Sequence, residues 1–118
     1  MIAGIGTDLV EIYRIEEMLL RGRHLSRIFT TTELAKDNAT TLAGNFAVKE
    51  AVSKVFGIGF FGVEPYEIEV LRNESGAPYV KLYGKAKEIA KDKQVSRIHV
   101  SITNTREFAQ AFAIGECV

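Results

Sequence analysis

Hydrophobic and polar residues follow two different periods along the chain, and together they predict nine helices and strands. Alternation of apolar and polar residues is typical of half-buried strands, whereas apolar residues at every third or fourth position are typical of amphipathic helices. We therefore expect strands at residues 1–9, 66–71, 79–83, 98–103 and 108–114, and helices at 11–21, 41–56 and 85–93. Thr30 followed by Glu33 matches a capping box and predicts a further short helix at that point.

The strongest helical signal covers residues 41–56. Thr40 or Thr41 can cap its start, and Gly57 suits the left-handed conformation that often follows a helix. In the last strand, small residues form a face on which this helix can lie closely: Ala109, Ala111 and Ala113. The pattern predicts an α+β fold in which an antiparallel sheet packs against a long helix. With 118 residues, the chain is expected to form a single domain, 1–118.

Composition and charge exclude several kinds of function. Lysine and arginine number 15, as do aspartate and glutamate, so the formal net charge of zero argues against a nucleic-acid-binding domain. The single cysteine, Cys117, can form no intramolecular disulfide, and a reducing, cytoplasmic compartment is expected. Charged residues interrupt every apolar stretch before it could span a membrane, and the chain shows no signal-peptide pattern. We therefore expect no membrane partner.

Candidate chemistry is concentrated on one face of the predicted long helix. Glu50, Ser53 and Lys54 are spaced i, i+3 and i+4, so a carboxylate, a hydroxyl and an ammonium group lie side by side. Such a face can hold a divalent cation and a phosphate, although the same spacing is typical of a solvated glutamate–lysine pair. Asp8, at the end of the first strand, offers either a second metal ligand or a cap for the next helix. His99 is either a ligand or a satisfied structural residue.

Basic residues cluster between positions 14 and 27. Arg14, Met18 and Arg21 share one face of the predicted helix 11–21, where guanidinium groups flank an adaptable apolar side chain. Arg23 and Arg27 follow in the next segment. This surface suits the docking of an acidic protein helix, and it is also typical of a solvated basic face.

Five sequence blocks occur in order along the chain. They read GIGTDLVEI from Gly4, FTTTEL from Phe29, FAVKEAVSK from Phe46, GAP from Gly76 and HVSIT from His99. In these blocks and their spacing, the chain resembles the holo-[acyl-carrier-protein] synthases, which are 4′-phosphopantetheinyl transferases of the small bacterial type. The resemblance extends from near Met1 to the final strand.

The resemblance implies a reaction, an assembly and a set of site residues. Members of the family transfer phosphopantetheine from coenzyme A to a serine of apo-acyl carrier protein, release adenosine 3′,5′-bisphosphate, and form homotrimers with coenzyme A bound between subunits. Asp8, Glu50 and Lys54 would be catalytic; the two carboxylates would hold Mg²⁺ against the diphosphate, and Lys54 would contact the phosphate near the breaking bond. The coenzyme A site would also include Ser53, Gly57, Pro78, Thr103 and Asn104. The carrier protein would dock on Arg14, Met18, Arg21 and Arg27.

Two positions depart from the pattern of the family. Asn104 stands where a second histidine is common, and asparagine cannot act as a general base near neutral pH. The serine proton would then pass to Glu50 or to a metal-bound water. Asn45 stands where an arginine commonly precedes the Phe-Ala pair. These departures keep open an alternative, a non-catalytic trimeric module that binds coenzyme A and an acidic carrier.

Overall fold

The computed structural model describes residues 1–36 and 38–118 and confirms the α+β class. Its strands are β1 (Ile2–Glu11), β2 (Ile68–Arg72), β3 (Pro78–Leu82), β4 (Arg97–Asn104) and β5 (Phe108–Glu116). Its helices are α1 (Ile12–Arg21), α2 (Thr31–Leu34), α3 (Ala39–Val55) and α4 (Gly84–Asp92), and short 3₁₀ turns lie at Leu25–Arg27 and Pro65–Glu67. None of the helices in the described ranges is long and apolar enough to cross a membrane.

The antiparallel strands divide between two sheets. β1, β5 and β4 lie side by side in that order, whereas β2 and β3 pair only with each other as a hairpin. The register places Asp8 opposite Ala111, and Ala111 opposite Ile102 on the far strand. The long helix α3 packs against all three strands of the larger sheet and also against β2. It therefore lies at the centre of the molecule and connects the two sheets.

The small-residue face of β5 is confirmed. Ala109, Ala111 and Ala113 are at most 1% exposed, because α3 lies directly on them. Most residues of α3 are themselves buried, as expected for a helix that is covered on several sides. The long helix and the three-stranded sheet thus form the main part of the hydrophobic core.

Two glycines allow β1 to approach α3 backbone to backbone. A Cβ atom added to Gly6 would overlap the carbonyl oxygen of Ala51, and one added to Gly4 would collide with the carbonyl oxygen of Val55. Side chains alternate between the two faces of a strand, so Asp8 points toward the same side as Gly4 and Gly6. The close approach therefore brings the carboxylate of Asp8 to the helix.

The long helix begins two residues before its predicted start and ends one residue before its predicted end, at Val55, with Phe56 as the C-cap. The helix begins at Ala39, and the Oδ1 atom of Asn38 accepts hydrogen bonds from the backbone N–H groups of Thr40 and Thr41 at 2.9 and 3.2 Å. Asn38 is therefore the cap, because its side-chain carbonyl satisfies the donors of the first turn. Gly57 follows the helix with a φ of 76°, in the left-handed conformation that we expected.

The capping box is confirmed, and one strand boundary is corrected. The hydroxyl of Thr30 accepts a hydrogen bond from the backbone N–H of Glu33, and the Glu33 carboxylate accepts one from the N–H of Thr30. The strand expected from residue 66 begins only at Ile68. Pro65–Glu67 forms a 3₁₀ turn instead, because proline is suited to the first position of such a turn.

The outer face of the larger sheet, which points away from α3, is apolar and open. Four large side chains on this face are at least 36% exposed: Ile5, Leu9, Phe108 and Phe112. On the same face, Nε2 of His99 lies 3.0 Å from Oε1 of Glu116. His99 therefore has a hydrogen-bond partner within the chain, which agrees with its interpretation as a structural residue.

Candidate active site

Asp8 and Lys54 meet where β1 passes the last turns of α3. The Nζ atom of Lys54 lies 3.6 Å from Oδ1 of Asp8 and donates a hydrogen bond to the carbonyl oxygen of Thr7 at 2.8 Å. The solvated Glu50–Lys54 pair is not formed, since Asp8 is the one ion-pair partner that Lys54 has among the described residues. Asp8 does not cap α1 either, because Glu11 occupies that position. Lys54 is 51% exposed, so its ammonium group is accessible to a ligand.

Glu50 adds a second carboxylate to this cluster. Burial raises the pKa of Asp8, and the positive charge of Lys54 opposes that shift. Burial also raises the pKa of Glu50, and the negative charge of Asp8 raises it further. Two half-buried carboxylates thus repel each other beside a single lysine. Paired hard oxygen donors with an uncompensated negative charge fit a divalent cation. We refer to Asp8, Glu50 and Lys54 as the acidic cluster.

Ser53 and Gly57 lie on α3 or at its end, but in different environments. Ser53 is 1% exposed, and its hydroxyl donates a hydrogen bond to the backbone carbonyl of Glu50 at 2.6 Å. The structure thus directs this hydroxyl into the helix at the turn that carries Glu50. Gly57 is exposed, one residue beyond the C-cap Phe56.

Pro78, Thr103 and Asn104 lie away from the acidic cluster. Thr103 and Asn104 are exposed at the end of β4, two strands from β1 and therefore about 10 Å across the sheet. Pro78 begins β3 in the separate hairpin. No hydrogen bond or ion pair in the described part of one chain connects these three residues to the cluster. A single chain therefore does not unite all the residues expected to bind coenzyme A.

The basic face of α1 forms one wall of an open groove. The groove has a volume of about 560 Å³, within the roughly 300–1,000 Å³ that is typical of ligand-binding clefts. Arg14, Met18 and Arg21 line it, together with Glu17, Arg23, His24 and Ile28. Arg27 lies on the adjacent 3₁₀ turn and is exposed, but it is not part of the lining.

A buried polar network beside α3 was not predicted. Lys49 is completely buried, and its Nζ atom donates hydrogen bonds to Oε1 of Glu33 at 2.8 Å and to the carbonyl oxygen of Ile68 at 2.6 Å. Burial lowers the pKa of Lys49, and the charge of Glu33 opposes this shift. Asn45, the second departure from the family pattern, donates from Nδ2 to Glu33 at 3.2 Å. A signal was present in the sequence, because Asn45, Lys49 and Ser53 recur every four residues within an apolar helix.

Comparison with known proteins identifies the family. A sequence profile described as the 4′-phosphopantetheinyl transferase superfamily matches residues 4–114. The chain belongs to this superfamily. Among relatives of this transferase, the holo-[acyl-carrier-protein] synthase of Lachnoclostridium phytofermentans is 52% identical over 120 residues, which cover 100% of this chain and 98% of that protein. The holo-[acyl-carrier-protein] synthase of Clostridium beijerinckii is 44% identical and covers 100% of both chains.

Solved structures of holo-[acyl-carrier-protein] synthases share the whole fold. The Plasmodium yoelii acyl carrier protein synthase with ADP bound has a TM-score of 0.89 and 31% identity, covering 98% of this chain and 95% of that one. The Helicobacter pylori enzyme in complex with coenzyme A has a TM-score of 0.85 and 31% identity, covering 95% and 99%. The phosphopantetheinyl transferase family expected from the sequence blocks is thus confirmed, and the protein is a transferase.

Proposed function

We propose that this chain transfers the 4′-phosphopantetheine group of coenzyme A to a serine of an apo-acyl carrier protein and releases adenosine 3′,5′-bisphosphate. The acidic cluster carries the proposal, because it places two carboxylates and an accessible ammonium group at one surface point. In the reaction, the serine oxygen forms a bond to the β-phosphorus, and the bond from that phosphorus to the bridging oxygen of the diphosphate breaks. The names and bound coenzyme A of the relatives support this assignment.

Lys54 is held in place for phosphate binding. One donor of its ammonium group is engaged by the carbonyl oxygen of Thr7, which anchors the side chain to β1. Its contact to Asp8 is long at 3.6 Å, and half of its surface is open. The remaining donors can therefore stabilise negative charge that develops on the diphosphate. The serine proton can pass to Glu50 or to water, because the amide of Asn104 cannot accept it.

Asp8 and Glu50 would hold Mg²⁺. The fit follows from the two half-buried carboxylates, since Mg²⁺ is commonly bound by one or two carboxylates together with substrate phosphates. When bound, the ion would supply positive charge to the diphosphate oxygens. Lys54, on the same side, would share that role with its own charge.

The basic groove on α1 would bind the carrier protein. Arg14 and Arg21 present positive charge on either side of Met18, which matches an acidic helix with an apolar residue at its centre. We include Arg27 because it is exposed next to this surface.

Reversing the charge of Arg21 should weaken recognition of the carrier and spare recognition of coenzyme A. For Arg21→Glu we expect the KM for the carrier to rise roughly tenfold to a hundredfold, because an interfacial like-charge contact costs several kcal/mol. Steady-state kinetics with each substrate varied in turn provide the measurement. Arg106→Glu, the same change on an exposed arginine outside the groove, is the control. An unchanged carrier KM in Arg21→Glu would place the docking surface elsewhere.

We also infer a homotrimer with the coenzyme A site between subunits. The open apolar face of the larger sheet needs a cover, since contiguous apolar patches on a surface mark interaction sites. Pro78, Thr103 and Asn104 lie apart from the acidic cluster within one chain, so a neighbouring chain would be needed to bring them to a shared ligand. Family resemblance favours three copies. A cytoplasmic location belongs to the same proposal and agrees with the free Cys117.

A mass measurement tests the activity directly. Incubation of the protein with coenzyme A, Mg²⁺ and apo-carrier should add one phosphopantetheine group to the carrier, and a chelator of divalent cations should prevent the addition. Intact-mass spectrometry of the carrier gives the result, and omission of the protein provides the blank. Calorimetric binding of coenzyme A and carrier without any mass change would instead support the non-catalytic binding module.

A further inference from the structure

The buried network connects α3 to the hairpin formed by β2 and β3. All three donors of the Lys49 ammonium group are used: Glu33 at 2.8 Å, the Ile68 carbonyl at 2.6 Å and the Pro65 carbonyl at 3.1 Å. These partners belong to α2, β2 and the 3₁₀ turn before β2. A single side chain of α3 therefore holds three other elements.

The Glu33 carboxylate completes the connection. Its Oε2 atom accepts from Asn45 on α3 at 3.2 Å and from the backbone N–H of Val70 on β2 at 3.4 Å. The side chains of Glu33 and Lys49 are both 0% exposed, so neither charge is screened by water. A buried pair of this kind adds little net stability but specifies one arrangement, because any shift leaves a charge without its partner.

A second buried carboxylate extends the network along the hairpin. Glu69, which is 6% exposed, accepts a hydrogen bond from the hydroxyl of Thr30 at 2.6 Å. It also accepts one from the hydroxyl of Tyr83, just after β3, at 2.8 Å. Strand β2 is therefore attached to α2 and α3 through side-chain hydrogen bonds, and the residue that follows β3 is joined to β2 by another.

Lys49 and Glu50 are neighbours in sequence but point to different parts of the molecule. Lys49 points into the network beside β2, whereas Lys54, one helical turn beyond Glu50 on the same face, reaches Asp8 and the Thr7 carbonyl on β1. Adjacent residues of a helix are separated by about 100° around its axis, so fixing one of them fixes the direction of the other. The network thus sets how α3, and with it the acidic cluster, is oriented relative to the hairpin.

We propose that Lys49 and Glu33 are positioning residues that fix the hairpin, and with it the turn before Pro78, relative to α3, so that the turn reaches coenzyme A bound at the acidic cluster of a neighbouring subunit. This inference rests on the proposed function and its subunit arrangement, because the resemblance places both the turn and the cluster in a coenzyme A site between subunits. Its basis in the structure is the set of hydrogen bonds from Lys49 and Glu33 to α2, α3 and β2.

The test is the double variant E33Q/K49M, which removes both charges together. Glutamine at position 33 preserves the capping box, and loss of the complete pair leaves neither of its two charges buried alone. The remaining buried carboxylate, Glu69, keeps its hydrogen bonds from Thr30 and Tyr83. We expect the dissociation constant for coenzyme A, measured by calorimetry, to rise about tenfold. The kcat at saturating coenzyme A should change by less than about threefold, because ground-state and transition-state binding are weakened together. Hydrogen exchange should become faster at residues 68–82 and stay unchanged in β1 and β5.

Controls separate this role from general destabilisation. Lys91→Met makes the same change on an exposed lysine of α4 and should alter neither binding nor exchange. If the double variant does not fold, Tyr83→Phe provides a milder test, because it removes one hydroxyl from the network on a ring that is 40% exposed. Tyr83→Phe should raise the dissociation constant for coenzyme A by a smaller factor than the double variant does. Tyr66→Phe, which removes a hydroxyl from a 42% exposed ring outside the network, should leave this constant unchanged.

The outcomes distinguish this inference from the proposed function. Faster exchange in the hairpin with unchanged affinity for coenzyme A would show that the network is only structural and would overturn the inference. Unchanged exchange and unchanged affinity in a folded variant would overturn it as well. A wild-type chain that binds coenzyme A but adds no mass to any carrier would refute the transferase activity, and the affinities would still decide the role of the network.

Discussion

Replacing Glu50 with glutamine should abolish most phosphopantetheine transfer while the protein remains folded. The substitution removes one of the two carboxylates of the acidic cluster and keeps the size of the side chain. We expect kcat to fall by roughly two to three orders of magnitude, as is typical when a charged group that acts on the transition state is lost. Asp8→Asn should have a similar effect, and the double variant should lose little more, because the two residues act as a unit.

Thermal unfolding distinguishes a functional from a structural role of Glu50. The ionised form of Glu50 is disfavoured by burial and by the nearby charge of Asp8. A neutral glutamine removes both penalties, so the melting temperature should equal or exceed that of the wild type. Glu88→Gln, the same change at an exposed position of α4, is the control and should leave both rate and stability unchanged. Normal turnover of Glu50→Gln at limiting Mg²⁺ would refute our assignment of this residue.

Replacing Phe112 with glutamate should dissociate the trimer and remove activity at the same time. Phe112 lies on the open apolar face of the larger sheet, where it is 45% exposed in one chain. A carboxylate buried between apolar surfaces would lose its hydration without gaining a partner. Sedimentation should therefore change from a species of about three times the chain mass of 13.1 kDa to a single chain. Transfer should fall to the background rate if the site needs a neighbouring subunit.

Phe61→Glu is the matched control for the sedimentation measurement. Phe61 is 88% exposed and lies in the loop after α3, outside the sheet face. The same substitution there should leave the assembly intact. A wild-type protein that sediments as a single chain at micromolar concentration and still transfers phosphopantetheine would show that one chain contains the complete site.

The helices and strands could be predicted because their packed faces leave a regular pattern in the sequence. The alternation in β5 separates Ala109, Ala111 and Ala113 from the large residues, and the structure buries the small face under α3 as expected. Pairing between strands leaves no such local pattern. The separation of the β2–β3 hairpin from the larger sheet was therefore not predictable from periodicity, since it depends on contacts between residues far apart in sequence.

Prediction of the site depended on different kinds of information. The contact of Lys54 with Asp8 joins residues 46 positions apart, and the resemblance to a family, rather than helical spacing, brought them together. Lys49 was missed because lysine is rarely buried, so a lysine in a helix is normally interpreted as exposed. The cap at Asn38 was missed because the helical period was followed only back to residue 41. Lys49 binds groups on other elements, and Asn38 lies just before the helix that it caps. Neither interaction is visible in the periodicity of a single helix or strand.

The contact between Gly6 and Ala51 has a consequence for how this protein can diverge in sequence. Side chains in a core change size during evolution, and the elements they separate then shift by fractions of an ångström. Between β1 and α3 at this point there is no side chain to change. The separation of Asp8 from the helix is set by the contact radii of two backbones, which every sequence shares. Substitutions elsewhere in the core can therefore accumulate and alter stability, while the spacing of the reactive groups stays constant.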